Sequence, residues 1–185
     1  MTTAKVYRNG PATVGDHHAS IMASWSGYDK CVPEGRSGRL NSLYASPSLE
    51  GVIRWVQSNH MMQFSNADYD LSTYELTVDA EKTFVYNVTV FDRLFSYEEL
   101  PAEKAMEYWN SGIRLSEWEQ VSQEQNLDPS LWEVLVDPAN IKSVKKVTAT
   151  RLLLSVPEWK QDDFKEMLKN RKEFVKWSNW EPKVA

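Results

Sequence analysis

The chain has 185 residues, of which 42% are apolar and 25% charged, and this composition is typical of a globular domain rather than a disordered chain. Its single cysteine, Cys31, excludes an intramolecular disulfide and a cysteine-built zinc site. No apolar run approaches the roughly 20 residues that span a bilayer, and the first ten residues lack the apolar segment of a signal peptide. We therefore expect a cytoplasmic protein, or one delivered into a target cytoplasm.

The spacing of apolar, β-branched and aromatic residues predicts both strands and helices. Strands are predicted, in chain order, at residues 4–9, 42–46, 73–78, 83–91 and 131–136, with one or two more within 141–154. A turn is predicted at residues 79–82, between the third and fourth strands. Helices are predicted at residues 15–28, from Pro47 onward with Ser46 or Ser48 as the cap, at 101–110, at 115–125 and after Pro157. Short strands separated by helices are typical of the α+β class.

The net charge of -5 is unevenly distributed along the chain. Residues 142–185 carry 11 Lys and Arg against 6 Asp and Glu, a balance of +5, so the preceding residues carry -10. The acidic part argues against broad nucleic-acid binding, which needs basic surface. We therefore predict a domain over residues 1–156 and a basic amphipathic helix over 157–185, packed on the domain or appended to it. Such a helix fits either a solvated face or a surface for an acidic partner.

The common catalytic motifs are absent from the sequence. It contains no phosphate-binding glycine loop, no G-x-G-x-x-G and no G-x-S-x-G. Its histidines, His17, His18 and His60, stand without a carboxylate at metal-ligand spacing, so no metal site is expected.

Three short segments remain, each weak alone but informative in their order. The first is Val6-Tyr7-Arg8-Asn9-Gly10 on a predicted strand. The second is Tyr44-Ala45-Ser46, which ends a strand and runs into a helix at Ser48-Leu49-Glu50. The third is the strand Trp132-Glu133-Val134-Leu135-Val136, followed by Asp137-Pro138 and then by Ile141 and Val144.

Taken together, these segments resemble the mono-ADP-ribosyltransferase superfamily across roughly residues 5–150. The resemblance implies a split β-sandwich of two mainly antiparallel sheets with flanking helices around a cleft for NAD, which is a substrate. The implied activity is transfer of ADP-ribose to a macromolecular or small acceptor, for which a protein is favoured. Small members of the superfamily are often effectors, toxins or phage proteins. Two features depart from the pattern. Arg8 is combined with Tyr44, a mixture of two subgroups, and Leu131 stands where arginine-modifying members carry Glu or Gln, which leaves the acceptor open.

The resemblance implies a role for each residue, and the chemistry suits the residue types. Glu133 would stabilise the positive charge that grows on the ribose as nicotinamide leaves. Arg8 would clamp the pyrophosphate, Tyr44 would stack on nicotinamide, and Ser46 would hydrogen-bond Glu133 or the nicotinamide amide.

Structural roles stand beside these for every residue: a surface ion pair for Arg8, core packing for Tyr44, a helix cap for Ser46 and an exposed strand position for Glu133. Arg36 and Arg39 fit either optional phosphate or acceptor contacts or solvated loop charges. Two other functions stay open for the whole chain. One is an NAD glycohydrolase of the same fold, and the other is a non-enzymatic acidic binding or inhibitor protein.

Overall fold

The computed structural model describes residues 2–10, 26–53, 73–91 and 102–156, together with Glu158, Gln161, Asp162 and Glu166. Within these ranges there are seven strands and three helices of six or more residues. The strands are β1 Thr3–Asn9, β2 Leu43–Ala45, β3 Thr73–Asp79, β4 Phe84–Asn87, β5 Ile113–Arg114, β6 Trp132–Val136 and β7 Ile141–Lys146. The helices are α1 Ala102–Asn110, α2 Leu115–Glu124 and α3 Ala149–Leu154. Short helical segments also occupy residues 26–29 and 49–53.

The strands form two antiparallel sheets, which confirms the α+β class. The smaller sheet has the order β1-β3-β7, and the larger sheet has the order β2-β6-β4-β5. The sheets approach each other where β1 and the residue after β2 form an isolated bridge: the amide of Tyr7 donates to the Ser46 carbonyl at 2.9 Å, and the Ser46 amide donates to the Tyr7 carbonyl at 2.6 Å. Residues 8 and 46, far apart in sequence, are thereby brought to neighbouring strands.

The main core lies between the two sheets. Because side chains alternate along a strand, β6 sends Trp132, Val134 and Val136 inward, where they meet Val6 of β1 and Leu76 of β3. All five residues are buried, as are the two residues that α2 adds to this core, Leu115 and Trp118. This apolar layer stabilises the sheet that carries β6.

A second, aromatic cluster covers the opposite face of the larger sheet. Leu135 of β6 and Tyr86 of β4 point to this side, and α1 covers them with Ala105, Tyr108 and Trp109. The three α1 positions follow helical spacing and form its buried stripe. The larger sheet is therefore buried on both faces, which explains why every residue of β6 is buried.

The C-terminal end of the domain is attached to the outer face of the smaller sheet. Glu75 of β3 is buried and accepts hydrogen bonds from Arg151 of α3 at 2.7 Å and from Lys5 at 3.0 Å. Arg151 also donates to the Tyr7 hydroxyl at 3.3 Å. Burial acts to raise the pKa of Glu75, but the hydrogen bonds from Arg151 and Lys5 outweigh it and lower the pKa. The ion pairs fix α3 on β1 and β3.

Two sequence predictions need correction. The predicted strand 83–91 is too long, since β4 ends at Asn87, whose side chain accepts the Thr89 amide at 2.9 Å and starts a 3-10 turn over Val88–Phe91. The turn predicted at residues 79–82 is confirmed, and it joins β3 and β4, which belong to different sheets. Residues 141–154 contain one strand followed by α3, whose first turn is capped by Thr148 through its bond to the Arg151 amide at 3.2 Å.

Other predictions fall outside the described residues or match them. Most of the helix predicted at 15–28 and nearly all of residues 157–185 lie outside the described ranges. Ser48 caps the helical residues 49–53 by accepting the Gly51 amide at 3.0 Å. None of the helices in the described part of the chain combines the length and hydrophobicity that a membrane crossing requires.

Candidate functional site

Glu133 lies at the centre of the larger sheet and points away from the main core. It occupies the second position of β6, between Trp132 and Val134, so strand alternation directs it to the face covered by α1. The residue is 3% exposed. A carboxylate in such a place is costly unless hydrogen bonds and a nearby positive charge compensate it.

Two groups provide this compensation, and both act on Oε1 of Glu133. The guanidinium of Arg39 forms a direct ion pair with it, and the hydroxyl of Tyr108 donates a hydrogen bond at 2.8 Å. Arg39 is itself 4% exposed. Burial acts to lower the pKa of the Arg39 guanidinium, but the Glu133 carboxylate outweighs burial and raises it. Arg39 therefore remains a cation although it is buried.

The backbone of Arg39 is fixed by Asp29, the last of the helical residues 26–29. The Asp29 carboxylate accepts the Arg39 amide at 2.6 Å and the Leu40 amide at 3.1 Å. Gly38 permits this approach, since a Cβ there would lie 2.5 Å from a carboxylate oxygen of Asp29. The segment before β2 is thus held so that the Arg39 side chain enters the sheet face.

Tyrosine rings enclose the Arg39 guanidinium. Its central carbon lies 4.9 Å from the ring centres of Tyr44 and Tyr108 and 5.5 Å from that of Tyr28. Cations are attracted to ring faces at this distance, most strongly where water is excluded. We call Arg39, Glu133, Tyr28, Tyr44 and Tyr108 the tyrosine box.

Burial raises the pKa of the tyrosine hydroxyls in and beside the box, so they stay protonated at a higher pH than exposed tyrosines do. Burial, only partly opposed by Arg39, raises the pKa of Tyr28 to about 12. The same cause raises the pKa of Tyr44 and, well above 10, that of Tyr108. Burial also raises the pKa of Tyr86, which stacks on Tyr108 with ring centres 4.8 Å apart. In the protonated form the Tyr44 hydroxyl donates to the Arg39 carbonyl and the Tyr108 hydroxyl donates to the Glu133 carboxylate.

The structure places Glu133 and Tyr44 on either side of the Arg39 guanidinium, and Arg8 contacts the Tyr44 backbone. Tyr44 is half-buried in β2, its hydroxyl donates to the Arg39 carbonyl at 2.6 Å, and its own carbonyl accepts the Arg8 guanidinium at 2.8 Å. Tyr44 is thus flanked by two guanidinium groups, Arg8 from β1 and Arg39 from the loop before β2. Arg8 reaches across the junction between the sheets.

Ser46 does not form the hydrogen bond to Glu133 that was one of its two expected roles. Its Oγ accepts the Ser48 amide at 3.3 Å and packs against Gly51, and it makes no hydrogen bond to Glu133. The physical reason is that Ser46 already turns toward the helical residues 49–53. Its structural contribution is the bridge to β1 together with support of this turn.

The sequence did not predict that three residues would lie at the centre of the site: Arg39, Tyr108 and Tyr28. Arg39 was considered only as an optional contact in a loop, where most arginines are solvated. Tyr108 shares helical spacing with Ala105, and this signal predicts burial but not a hydrogen bond. The pairing of β2 with β6 brings Arg39 near Glu133, and the packing of α1 on the larger sheet brings Tyr108 there.

A separate surface groove of about 860 Å³ lies beside the site and is lined by none of the residues of the tyrosine box. Arg36 forms part of its wall, with its guanidinium carbon 4.1 Å from the centre of the Phe84 ring and a 3.1 Å hydrogen bond to the Trp109 carbonyl. Three basic and four acidic side chains line the groove, so its charge favours neither anions nor cations. We place the candidate site at the tyrosine box, where the unusual chemistry is concentrated.

Comparison of the chain with protein-family models, with curated proteins and with solved structures finds no match.

Proposed function

We propose that the protein cleaves NAD and transfers ADP-ribose to a macromolecular or small acceptor. The observation that carries the proposal is the position of Tyr44, whose backbone meets Arg8 and whose ring packs on the Arg39 that is paired with Glu133. Two cations, an aromatic ring and a carboxylate are the groups that a dinucleotide with a pyrophosphate, a nicotinamide and a ribose requires.

The reaction proposed for this site breaks the bond between C1′ of the ribose and the nicotinamide nitrogen. The electron pair leaves with nicotinamide, which becomes neutral, and positive charge develops on the sugar. A nucleophile of the acceptor then forms the new bond to C1′ and releases its proton to solvent. Glu133 would stabilise the developing charge, and the hydrogen bond from Tyr108 holds its carboxylate in a fixed direction.

The fold supports this proposal at a coarse level. Two antiparallel sheets approach at the bridge between Tyr7 and Ser46, and Arg8, Tyr44 and Glu133 lie on strands adjoining that junction. This arrangement is compatible with the split β-sandwich that the resemblance implies. Because Glu133 is buried, the proposal requires Tyr44 or the loop before β2 to move when NAD binds.

Hydrolysis of NAD is a second candidate, in which water is the acceptor. Leu131, two residues before Glu133, is 44% exposed and offers no second carboxylate to bind or activate an arginine side chain. Water needs no such group beyond the carboxylate that stabilises the sugar.

The decisive experiment measures nicotinamide release from NAD by the purified protein and by its Glu133→Gln variant. Loss of one charge-stabilising group in such a site typically lowers the rate by about 10²–10³. A matched control is Glu103→Gln, which removes an exposed carboxylate of α1 and leaves the rate unchanged.

A second arm uses labelled NAD and a cell lysate to identify the acceptor. Label transferred to protein, nucleic acid or small molecules identifies its class, whereas free ADP-ribose alone indicates hydrolysis. A folded protein that releases no nicotinamide in either arm would refute the enzymatic proposal and favour a non-enzymatic acidic binding protein.

A further inference from the structure

The ion pair between Arg39 and Glu133 occupies the two groups that the proposed reaction needs most. The carboxylate has to face the ribose, and a buried guanidinium is the strongest anion-binding group in the box. In the structure each neutralises the other, with side-chain exposures of 5% and 4%. A substrate entering the box therefore meets a closed, charge-balanced pair.

We propose that Arg39 exchanges partners when substrate binds, pairing with Glu133 in the empty protein and with the diphosphate of the dinucleotide in the complex. This inference rests on the proposed function and adds a regulatory step to it. The carboxylate is released toward the ribose only when a ligand carries the anion that replaces it. The ion pair thus holds the site inactive until a diphosphate arrives.

The surroundings of Arg39 suit an exchange without a change in its backbone. Asp29 holds the amides of Arg39 and Leu40, and the rings of Tyr44 and Tyr108 flank the guanidinium whichever anion it binds. A diphosphate offers several anionic oxygens to the planar guanidinium, which can bind two of them at once. The anion therefore competes directly with Glu133 for a cation that stays in place.

The surroundings of Glu133 also suit the exchange. When Glu133 gives up Arg39, it keeps the hydrogen bond from Tyr108, so the carboxylate is not left without a donor. Tyr44 is the half-buried wall of the box, and Arg8 is bonded to its carbonyl.

The exchange predicts an unusual binding result. Removing the charge of Glu133 abolishes the competitor for Arg39, so Glu133→Gln is expected to bind ADP-ribose about tenfold or more tightly than the native protein. Nicotinamide riboside, which has no diphosphate, is expected to gain nothing. Without an exchange, the substitution of a carboxylate that only stabilises the sugar would leave the affinity for ADP-ribose unchanged.

Isothermal titration calorimetry with these two compounds tests the inference on the full chain. Glu133→Asp is the second variant; it keeps the charge but draws it back by one methylene, so it is expected to bind ADP-ribose with intermediate affinity. The control Glu103→Gln is expected to match the native protein, and a melting curve for each variant verifies that it is folded.

The outcomes separate the two proposals. Tighter binding of ADP-ribose by Glu133→Gln, with nicotinamide riboside unchanged, supports the exchange. Equal or weaker binding of ADP-ribose by the folded variant overturns the exchange and leaves the proposed function standing. Failure of ADP-ribose to bind any of the variants or the native protein at millimolar concentration overturns both.

Discussion

Replacing Arg39 with methionine is expected to destabilise the fold strongly, whatever the protein does. Methionine has a similar length, so the main loss is the positive charge beside Glu133, which is 3% exposed. Breaking a buried ion pair by removing one partner costs about 3–5 kcal/mol, because the other charge remains buried and uncompensated. For a chain of this size, roughly 2–4 °C per kcal/mol then gives a fall in melting temperature of about 6–20 °C.

The assay is urea unfolding followed by tryptophan fluorescence, with the free energy of unfolding taken from the midpoint and slope. Arg114→Met is the matched control, since the ion pair of Arg114 with Glu81 spans 3.7 Å and both side chains are about half exposed. Exposed pairs of this kind contribute about 0–1 kcal/mol, so the control should change little.

A double variant, Arg39→Met with Glu133→Leu, isolates the cause. If the loss arises from an uncompensated carboxylate, removing the carboxylate as well recovers much of it, because well-packed apolar residues often replace a buried pair without cost. The reasoning fails if Arg39→Met costs less than about 1 kcal/mol, or if the double variant is no more stable than the single one.

Two further predictions concern the surroundings of the box. In a titration followed by tyrosine absorbance, Tyr28 should remain protonated at pH 10; because its folded pKa is raised to about 12, its contribution to stability is complete below pH 10 and disappears as the pH rises toward 12. Titration of all eight tyrosines near pH 10 in the folded protein would contradict this burial. Gly112→Ala should lower the free energy of unfolding by about 1–3 kcal/mol in the same urea assay. Its Cβ would lie 2.5 Å from Arg36 and 2.6 Å from Tyr86, and unchanged stability would show that these side chains yield freely.

The sequence predicts those parts of the fold in which local pattern and final environment agree. β6 is close to its predicted bounds because a segment rich in Trp and Val ends at Asp137-Pro138. α3 was missed because its apolar residues, following a β-branched run, have no period long enough to distinguish a helix from a strand. The Thr148 hydroxyl caps this segment by accepting the Arg151 amide, which favours a helix over a strand. Composition alone does not reveal this short-range bond.

In the candidate site, too, the sequence predicts the residues whose position follows from local pattern and misses those that depend on long-range contacts. Glu133 could be proposed from its strand and Tyr44 from the strand that precedes a helix. The role of Arg39 depends on a contact between residues 94 positions apart, formed when β2 pairs with β6. Loop arginines are mostly solvated, so the sequence pattern predicts an exposed Arg39, whereas the residue is buried. The hydrogen bond suggested between Ser46 and Glu133 is not formed, because the local turn engages the Ser46 hydroxyl, which accepts the Ser48 amide.

The alternation of side chains along β6 makes the site sensitive to the length of the loop that precedes the strand. A shift of one residue in pairing would turn Glu133 into the apolar layer beneath the sheet and bring Val134 to the tyrosines. A shift of two would keep the face but carry the carboxylate about 7 Å along the strand, beyond the reach of the Tyr108 hydroxyl. Insertions and deletions should therefore be tolerated before Pro129, where a turn can absorb them, and should separate Glu133 from Arg39 and Tyr108 when they fall between Leu131 and Glu133.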